Sequence, residues 1–283
     1  MLDPDHEREV LHWRERRVAR LTARDGWLSL INKVFLEPGV PLAVGAAAEG
    51  GVQLPAGKAP AQLGSLLLAD GRVRFTPEPG AAIELQRWGQ SERSPLTAAV
   101  ELVTDARNAP DRLLHGDLVL DVMERGDAFA MRVRDVSRAR PELAGIEYYP
   151  ISSAWRLAAR FEPYLPEQTI ELVFEGGIAE PYAAPGAVVF EKDGVSYRLD
   201  PVFERERKRL WLVFADPTNR DTTYGAGRFL YAPLPQGDRV VLDFNQAFSP
   251  PCAFSPFVAC PLPPFQNRLE LRVEAGEKRP IEH

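Results

Sequence analysis

The segment "DTTYGAGRFLYA", residues 221–232, is where residue types and spacing most suggest chemistry. It places Arg228 directly after Gly225-Ala226-Gly227, and three hydroxyl side chains precede the glycines. In one interpretation, Arg228 ties an aspartate to several carbonyls of a proline-rich loop, because such a loop has many backbone acceptors to satisfy. In the other, the N–H groups of the glycine turn and the guanidinium bind one carboxylate or phosphate of a ligand.

Two aspartates are candidate partners of Arg228. Asp243 and Asn245 end the predicted strand "RVVLDF", and strand alternation places both on one face with Phe244 on the other. If this strand forms a hairpin with the strand that Arg228 opens, Arg228 lies near Asp243. Asp216 is the alternative partner.

We therefore predict that a small anionic ligand binds in a pocket of a C-terminal β domain. Hydrolysis by a carboxylate-activated water is the enzymatic alternative, since the chain has only 4 histidines. A different class of function is a protein-interaction module whose C-terminal cluster is purely structural. No catalytic residue is assigned. The predicted ligand-binding residues are Arg134, Asp135, Asp216, Tyr224, Arg228, Asp243 and Asn245.

The sequence predicts no metal and no cofactor. Cys252 and Cys260 bracket "AFSPFVA", but a zinc site needs two further ligands and His115 is the only histidine away from the chain ends. We expect both thiols to be reduced and packed as small apolar groups. Their spacing leaves a disulfide open as an alternative.

Charge and composition restrict the partners. The net charge of −6 and the pI near 5.4 argue against nucleic acid and against an anionic membrane surface. The charged N-terminus, "MLDPDHEREV", does not resemble a signal peptide, and no apolar run is long enough to span a membrane. We expect a cytoplasmic protein, with a protein partner at the N-terminal region as a further alternative.

Residues 5–24 are predicted to form a helix. Five apolar residues fall on one arc of the helical wheel, and Arg14 and Arg17 fall within it. Either these arginines lie along apolar surface with exposed heads, or each meets a carboxylate and docks the helix. The five apolar residues are Val10, Leu11, Trp13, Val18 and Leu21.

After residue 26 the pattern changes to short alternating strands ended by Pro and Gly turns, so the fold is predicted to be mainly β. Hairpins are expected at 118–133, around "ERGD", and at the turn Asp193-Gly194. The expected organisation is an N-terminal helix (1–25), a small β-sandwich (26–110) and a larger antiparallel β sandwich or barrel (111–283).

The stretch 42–68 resembles the forkhead-associated sandwich, on the evidence of Gly45 and the strand residues Val52 and Leu54. Ala46 stands where that family has its phosphate-binding arginine, and "KAPAQLG" replaces the serine-arginine-histidine segment. The resemblance implies a sandwich fold without phosphothreonine recognition.

Six motifs together resemble the bacterial and archaeal domain-of-unknown-function family 1684. They are "GWLSL", "RVRD", "YYP", "TYGAGRFL", "DFNQAFSPPCAF" and "CPLPPFQNRL…AGEK". The resemblance spans about Trp13 to Lys278, with Ser249 in place of the family's usual asparagine. It implies no activity, but it places all the predicted ligand-binding residues except Asp216, and both cysteines, in motif positions.

Overall fold

The computed structural model describes residues 3–107, 110–138, 146–174, 177–205 and 207–280. The chain divides into two compact units, Thr22–Arg140 and the combination of Met1–Leu21 with Pro141–His283. We call the first the inserted unit and the second the C-terminal unit. Both consist mainly of antiparallel strands, which confirms the predicted fold class.

The inserted unit contains two sheets, with strand orders β3-β2-β4-β5-β8 and β1-β11-β10-β9-β6-β7. In chain order the strands are β1 (Leu30–Leu36), β2 (Leu42–Gly45), β3 (Val52–Gln53), β4 (Gly64–Ala69), β5 (Arg72–Pro77), β6 (Glu84–Gln86), β7 (Ser94–Pro95), β8 (Val100–Leu102), β9 (Arg112–His115), β10 (Leu118–Arg125) and β11 (Ala128–Asp135). The two sheets share one hydrophobic core, to which Leu66 and Phe75 contribute from one sheet and Leu120 and Met131 from the other.

The hairpin β10–β11 confirms the prediction for residues 118–133, with Leu120 opposite Val133. β11 also pairs with β1 across its other edge. For this reason the hairpin belongs to the compact unit that begins at Thr22, whereas the sequence assigned it to the C-terminal domain. The predicted domain boundary between residues 110 and 111 concerns independent folding and stays a prediction. Residues 108–109, beside this boundary, lie outside the described residues.

Over its described residues, the C-terminal unit contains one α-helix and two sheets, with strand orders β14-β13-β12-β18 and β15-β16-β17. Its elements are α1 (Pro4–Leu21), β12 (Arg156–Val173), β13 (Ala179–Lys192), β14 (Val195–Leu199), β15 (Val202–Glu204), β16 (Arg209–Phe214), β17 (Arg228–Pro233) and β18 (Arg239–Asp243). Phe190, Leu212, Leu230 and Leu242 from both sheets meet in its core.

The helix α1 confirms the predicted N-terminal helix, three residues shorter at its C-terminal end. Val10, Trp13 and Leu21 are buried as expected. Leu11 and Val18, predicted on the same arc, are instead 45% and 37% exposed. The buried face of α1 is therefore narrower than the apolar pattern suggested.

The turn Asp193-Gly194 joins β13 and β14 as predicted, and both residues have positive φ. The hairpin expected between the strands of Arg228 and Asp243 is wrong. β17 pairs with β16, and β18 pairs with β12 in the other sheet. Pro233 and Pro235 precede the turn and lack an N–H, so a ladder cannot continue from β17 towards it.

Candidate functional site

Gly227 shows why a glycine precedes Arg228. Its φ of +96° is unfavourable for other residues, and an added Cβ would lie 2.4 Å from Cγ of Pro263 and 2.7 Å from the carbonyl oxygen of Phe214. The glycine therefore lets the chain pass close to a neighbouring backbone and a proline ring. This is a packing role.

Arg228 begins β17 and is fully buried. Its Nη2 donates to Oδ2 of Asp216 at 2.7 Å and to the carbonyl oxygen of Val273 at 2.8 Å, and its Nη1 donates to the carbonyl of Ala275 at 2.5 Å. This is the arrangement of the first interpretation, in which the guanidinium joins an aspartate to loop carbonyls. The guanidinium has no exposed surface, and both of its Nη atoms donate to groups of the protein itself.

Asp216 completes this clamp from the other side. Its side chain caps the short helix Pro217–Arg220 by accepting from the backbone N–H of Thr218 at 2.9 Å. It also accepts from the backbone N–H of Val273 at 3.1 Å. The Asp216 and Arg228 side chains are both 0% exposed, so the clamp is a desolvated ion pair that joins β17 to the C-terminal segment.

Asp243 and Asn245 form a second buried cluster, away from Arg228's carboxylate partner. The predicted alternation is wrong here, because β18 ends at Asp243 and Phe244–Gln246 form a helical turn that the Asp243 side chain caps. Asp243 Oδ2 lies 2.9 Å from Nε2 of His6 on α1. Asn245 exchanges hydrogen bonds with both backbone groups of Ser152, at 2.9 Å each.

The two arginines of α1 behave differently. Arg17 is buried, and its Nε donates to the carboxylate of Glu277 at 2.8 Å, as the docking alternative expected. Arg14 meets no carboxylate of the described residues at hydrogen-bond distance: it donates to the carbonyl of Tyr149 at 3.0 Å and lies 4.2 Å from the centroid of the Tyr148 ring. Both docking contacts hold α1 against the rest of the C-terminal unit.

Tyr224 is half-buried, and its hydroxyl lies 3.8 Å from Sγ of Cys252. The Tyr224 carbonyl accepts from the side chain of Asn219 at 2.9 Å, which anchors the glycine turn. Neither of these two contacts involves the guanidinium of Arg228.

Arg134 and Asp135 belong to the inserted unit, at the end of β11. Arg134 donates to Asp121, a buried carboxylate that it shares with Arg132. Burial lowers the pKa of Arg134 to about 10, and the nearby Arg112 acts in the same direction. The structure thus groups the seven predicted residues into three sets: Asp216 with Arg228, Asp243 with Asn245, and Arg134 with Asp135, with Tyr224 apart.

Asp135 gives a pH-dependent prediction. Burial raises the pKa of its carboxyl, but hydrogen bonds from Lys58 Nζ (2.5 Å) and the Ser137 hydroxyl (2.8 Å) outweigh burial and hold it below its ordinary value. A depressed pKa stabilises the fold above the pKa of the unfolded carboxyl, near 4, and this stability is lost as the pH falls through the folded value.

We expect Lys58→Met to lower the free energy of unfolding by about 1 kcal/mol at about pH 7 and by much less at about pH 2. Urea unfolding at both pH values measures the difference. If Lys58→Met lowered the free energy of unfolding equally at the two pH values, the hydrogen bond would not depend on the ionised Asp135 carboxylate. That result would contradict the lowered pKa of Asp135.

The sequence interpretation missed one surface of the sheet β15-β16-β17. Register pairs Glu204 with Arg209 and Trp211 with Tyr231, so these four side chains share the face opposite the core. We call it the arginine–aromatic face. The alternation in "RLWLVF" and "RFLYAP" was available as a signal, because it separates Arg209 and Trp211 from the buried leucines.

Two donors on this face have no acceptor among the described residues. Arg209 packs its guanidinium carbon 3.2 Å from the ring centroid of Tyr231 and donates from Nε to Glu204 at 2.5 Å. Its Nη2 and the indole Nε1 of Trp211 are buried without a hydrogen-bond partner. A buried donor without an acceptor costs about 1–3 kcal/mol, so an acceptor bound at this face would be stabilising.

The helix α1 adds cations to the same face. Arg17 lies 4.7 Å from the ring centroid of Phe248, which in turn packs on Tyr231 at 5.4 Å between centroids. The pKa of Arg20 is lowered, first by partial burial of its side chain and then by repulsion from Arg17 and other arginines. Within the described part of the chain Arg20 has no ion-pair partner.

The described ranges contain neither a metal-binding cluster nor a membrane-spanning helix. No group of three or more His, Cys, Asp or Glu residues in them could hold a metal ion. None of the helices there has both the length and the apolar content that crossing a bilayer requires.

Comparison with known proteins identifies the C-terminal half of the chain. Residues 141–278 match the family model described as "Protein of unknown function (DUF1684)". Five of the seven predicted site residues lie within this range, and Arg134 and Asp135 precede it. No curated protein matches the sequence.

One solved structure with similarity is the solution NMR structure of an uncharacterized protein of Haloarcula marismortui. It is 31% identical, the match covers 50% of this chain and 80% of that chain, and the TM-score is 0.42. Through its residues 141–278, the chain belongs to the DUF1684 family.

Proposed function

We propose that the C-terminal unit binds a small anion on the arginine–aromatic face. The observation that carries the proposal is the pair of buried donors, Arg209 Nη2 and Trp211 Nε1, which point from one sheet face and lack an acceptor among the described residues. An anion with several oxygens, such as a phosphate monoester or a carboxylate, would supply acceptors to both.

The local charge supports an anion over a neutral ligand. Arg17 and Arg209 each have a carboxylate partner, Glu277 and Glu204, whereas no such partner of Arg20 lies among the described residues. Guanidiniums that repel one another are stabilised when a bound anion lies between them, and charge-assisted hydrogen bonds are about twice as strong as neutral ones.

Arg228 and Arg134, the cations first expected to hold the anion, are not part of this proposal. Arg228 is fully buried, and Arg134 is largely buried against Asp121 in the inserted unit. The ligand is still a small anion, and the domain is still the C-terminal one. The site, however, lies on the face of β16 and β17 opposite the core, and Arg228 is not on that face.

Binding, and not hydrolysis, is proposed for this face. Glu204 is its carboxylate, and Arg209 already donates to it at 2.5 Å. A carboxylate whose oxygen already accepts from a guanidinium is not free to orient a water for attack, so it is a poor candidate for activating water. The cytoplasmic location stays a prediction.

The test is the shift in thermal midpoint caused by phosphate, diphosphate or citrate, each compared with sodium chloride at equal ionic strength. A ligand present at one hundred times its dissociation constant stabilises by about 2.7 kcal/mol, which raises the midpoint by several degrees. At least one of the three anions is expected to do so.

Variants locate the effect. Trp211→Phe removes the indole N–H and keeps the ring, so we expect about a fivefold to tenfold weaker affinity. Arg20→Gln should weaken binding about tenfold or more, since it removes a charge-assisted bond. Arg160→Gln, an exposed arginine of β12, makes the same change in net charge and should leave binding unchanged.

If none of the anions raises the midpoint of the wild-type protein above the chloride control, the binding proposal is wrong. The interaction role of the N-terminal residues, the second interpretation of the sequence, would then be the function to test. If Arg20→Gln and Arg160→Gln lost equal amounts of anion affinity, the effect would be one of general charge. That result would also contradict the proposed site.

A further inference from the structure

Cys252 and Cys260 come together although eight positions separate them. Cys252 lies in the short helical turn Pro251–Ala253 and is half-buried, whereas Cys260 is 7% exposed. The backbone N–H of Cys252 donates to Sγ of Cys260 at 3.3 Å. Both residues are thiols in the structure.

Each sulfur lies near a hydrogen-bond donor. The Tyr224 hydroxyl lies 3.8 Å from Sγ of Cys252, and the Cys252 amide lies against Sγ of Cys260. Donors of this kind stabilise a thiolate more than a thiol, and the thiolate is the form that attacks a disulfide. Cys252 is the more exposed of the two, so it is the sulfur that an external molecule reaches first.

We propose that Cys252 and Cys260 form a reversible dithiol–disulfide pair that exchanges with a low-molecular-weight disulfide of the glutathione type. This inference is independent of the arginine–aromatic face. The loop that joins the two cysteines contains short turns and no strand among its described residues, so it can adjust as the sulfurs approach bonding distance.

The exchange has two balanced steps. The Cys252 thiolate attacks one sulfur of the small disulfide, whose S–S bond breaks and releases one small thiolate, leaving a mixed disulfide on Cys252. The Cys260 thiolate then attacks the Cys252 sulfur and displaces the second small thiolate. Two protein thiols are oxidised, one small disulfide is reduced to two thiols, and the thiol protons pass to the released thiolates.

The test uses the full chain in buffers of increasing ratio of oxidised to reduced glutathione, followed by acid quenching, alkylation of thiols under denaturing conditions, and intact mass. The expected wild-type product in oxidising buffer is a monomer that is two hydrogens lighter and carries no alkyl group. Reduced glutathione should restore a species that carries two alkyl groups.

Two variants separate the steps. Cys260→Ser removes the second nucleophile, so we expect it to keep one glutathione on Cys252. Cys252→Ser should remain unmodified, because its remaining thiol is the buried one. Any of three results would overturn the proposal. The wild-type protein could carry two alkylated thiols at every ratio of oxidised to reduced glutathione, end as an adduct with glutathione, or form a disulfide-linked dimer.

Discussion

Replacing Arg228 with methionine is expected to lower the free energy of unfolding of the C-terminal unit by about 3–5 kcal/mol. The substitution leaves the Asp216 carboxylate buried without its cation, and it leaves the carbonyls of Val273 and Ala275 without a donor. Urea unfolding followed by circular dichroism measures the change. An uncompensated buried charge is among the largest destabilising effects that one substitution can produce.

The double variant Arg228→Met with Asp216→Asn separates charge from packing. Asparagine keeps an acceptor for the Thr218 and Val273 N–H groups but carries no charge, so the double variant should be more stable than Arg228→Met alone. Arg160→Gln, which breaks an exposed pair with Glu162, should cost less than about 1 kcal/mol. A cost of Arg228→Met no larger than this control would contradict the clamp.

Glu277→Leu is expected to have an effect of similar size, about 3–5 kcal/mol, and to act through α1. Glu277 is 0% exposed and accepts from Arg17 Nε at 2.8 Å and from the backbone N–H of Ser249 at 2.8 Å. Its removal leaves the buried Arg17 guanidinium without a carboxylate partner among the described residues, while Nη2 keeps its hydrogen bond to the Ser249 carbonyl at 2.7 Å. The helix should then detach at a lower free energy than the rest of the unit unfolds.

Hydrogen exchange of the α1 amides measures this detachment directly. In Glu277→Leu we expect exchange over residues 4–21 to accelerate more than exchange in β12 and β13. Arg8→Gln, which alters an exposed pair with Asp5 on the same helix, is the matched control and should not change the exchange rates. Unchanged protection of α1 in Glu277→Leu would show that Arg17 and Glu277 do not hold the helix.

The partner of Arg228 could have been chosen from the sequence with one further step. The segment 215–227 joins "RLWLVF" to "RFLYAP", β16 pairs with β17, and the register places Phe214 opposite Arg228. Asp216, two residues beyond Phe214, is therefore next to the guanidinium. Asp243 was the wrong partner, because Pro233 and Pro235 prevent the hairpin that would have brought β18 alongside.

The arginine–aromatic face was missed for a different reason. Arg17 and Arg20 precede Arg209 in the chain by the whole inserted unit and part of the C-terminal unit, and no local pattern indicates that α1 packs on the C-terminal strands. The apolar arc of α1 predicted a buried helix face but not the surface that it covers. The periodicity of a helix or strand indicates which of its faces is buried, but it does not indicate which distant element packs against that face.

Strand pairing in the inserted unit shows the same limit. The alternation in residues 118–133 predicted the hairpin β10–β11 correctly, because each strand has its own two-residue period. It did not predict that β1, nearly one hundred residues earlier, would pair with β11. Local periodicity thus specified the strands, whereas the sheet to which a strand belongs depends on pairing across the chain.

The central claim, anion binding on the arginine–aromatic face, is tested most directly by the indole N–H signals in a proton–nitrogen correlation spectrum. The chain has 5 tryptophans, so four indoles serve as internal controls for Trp211, whose signal is assigned by its absence in Trp211→Phe. Diphosphate is added at constant ionic strength. We predict that the Trp211 signal moves downfield and saturates, because its buried N–H gains an acceptor, while the other four move little. A Trp211 signal that stays in place while diphosphate is added, or that moves only as the other four do, would contradict the claim.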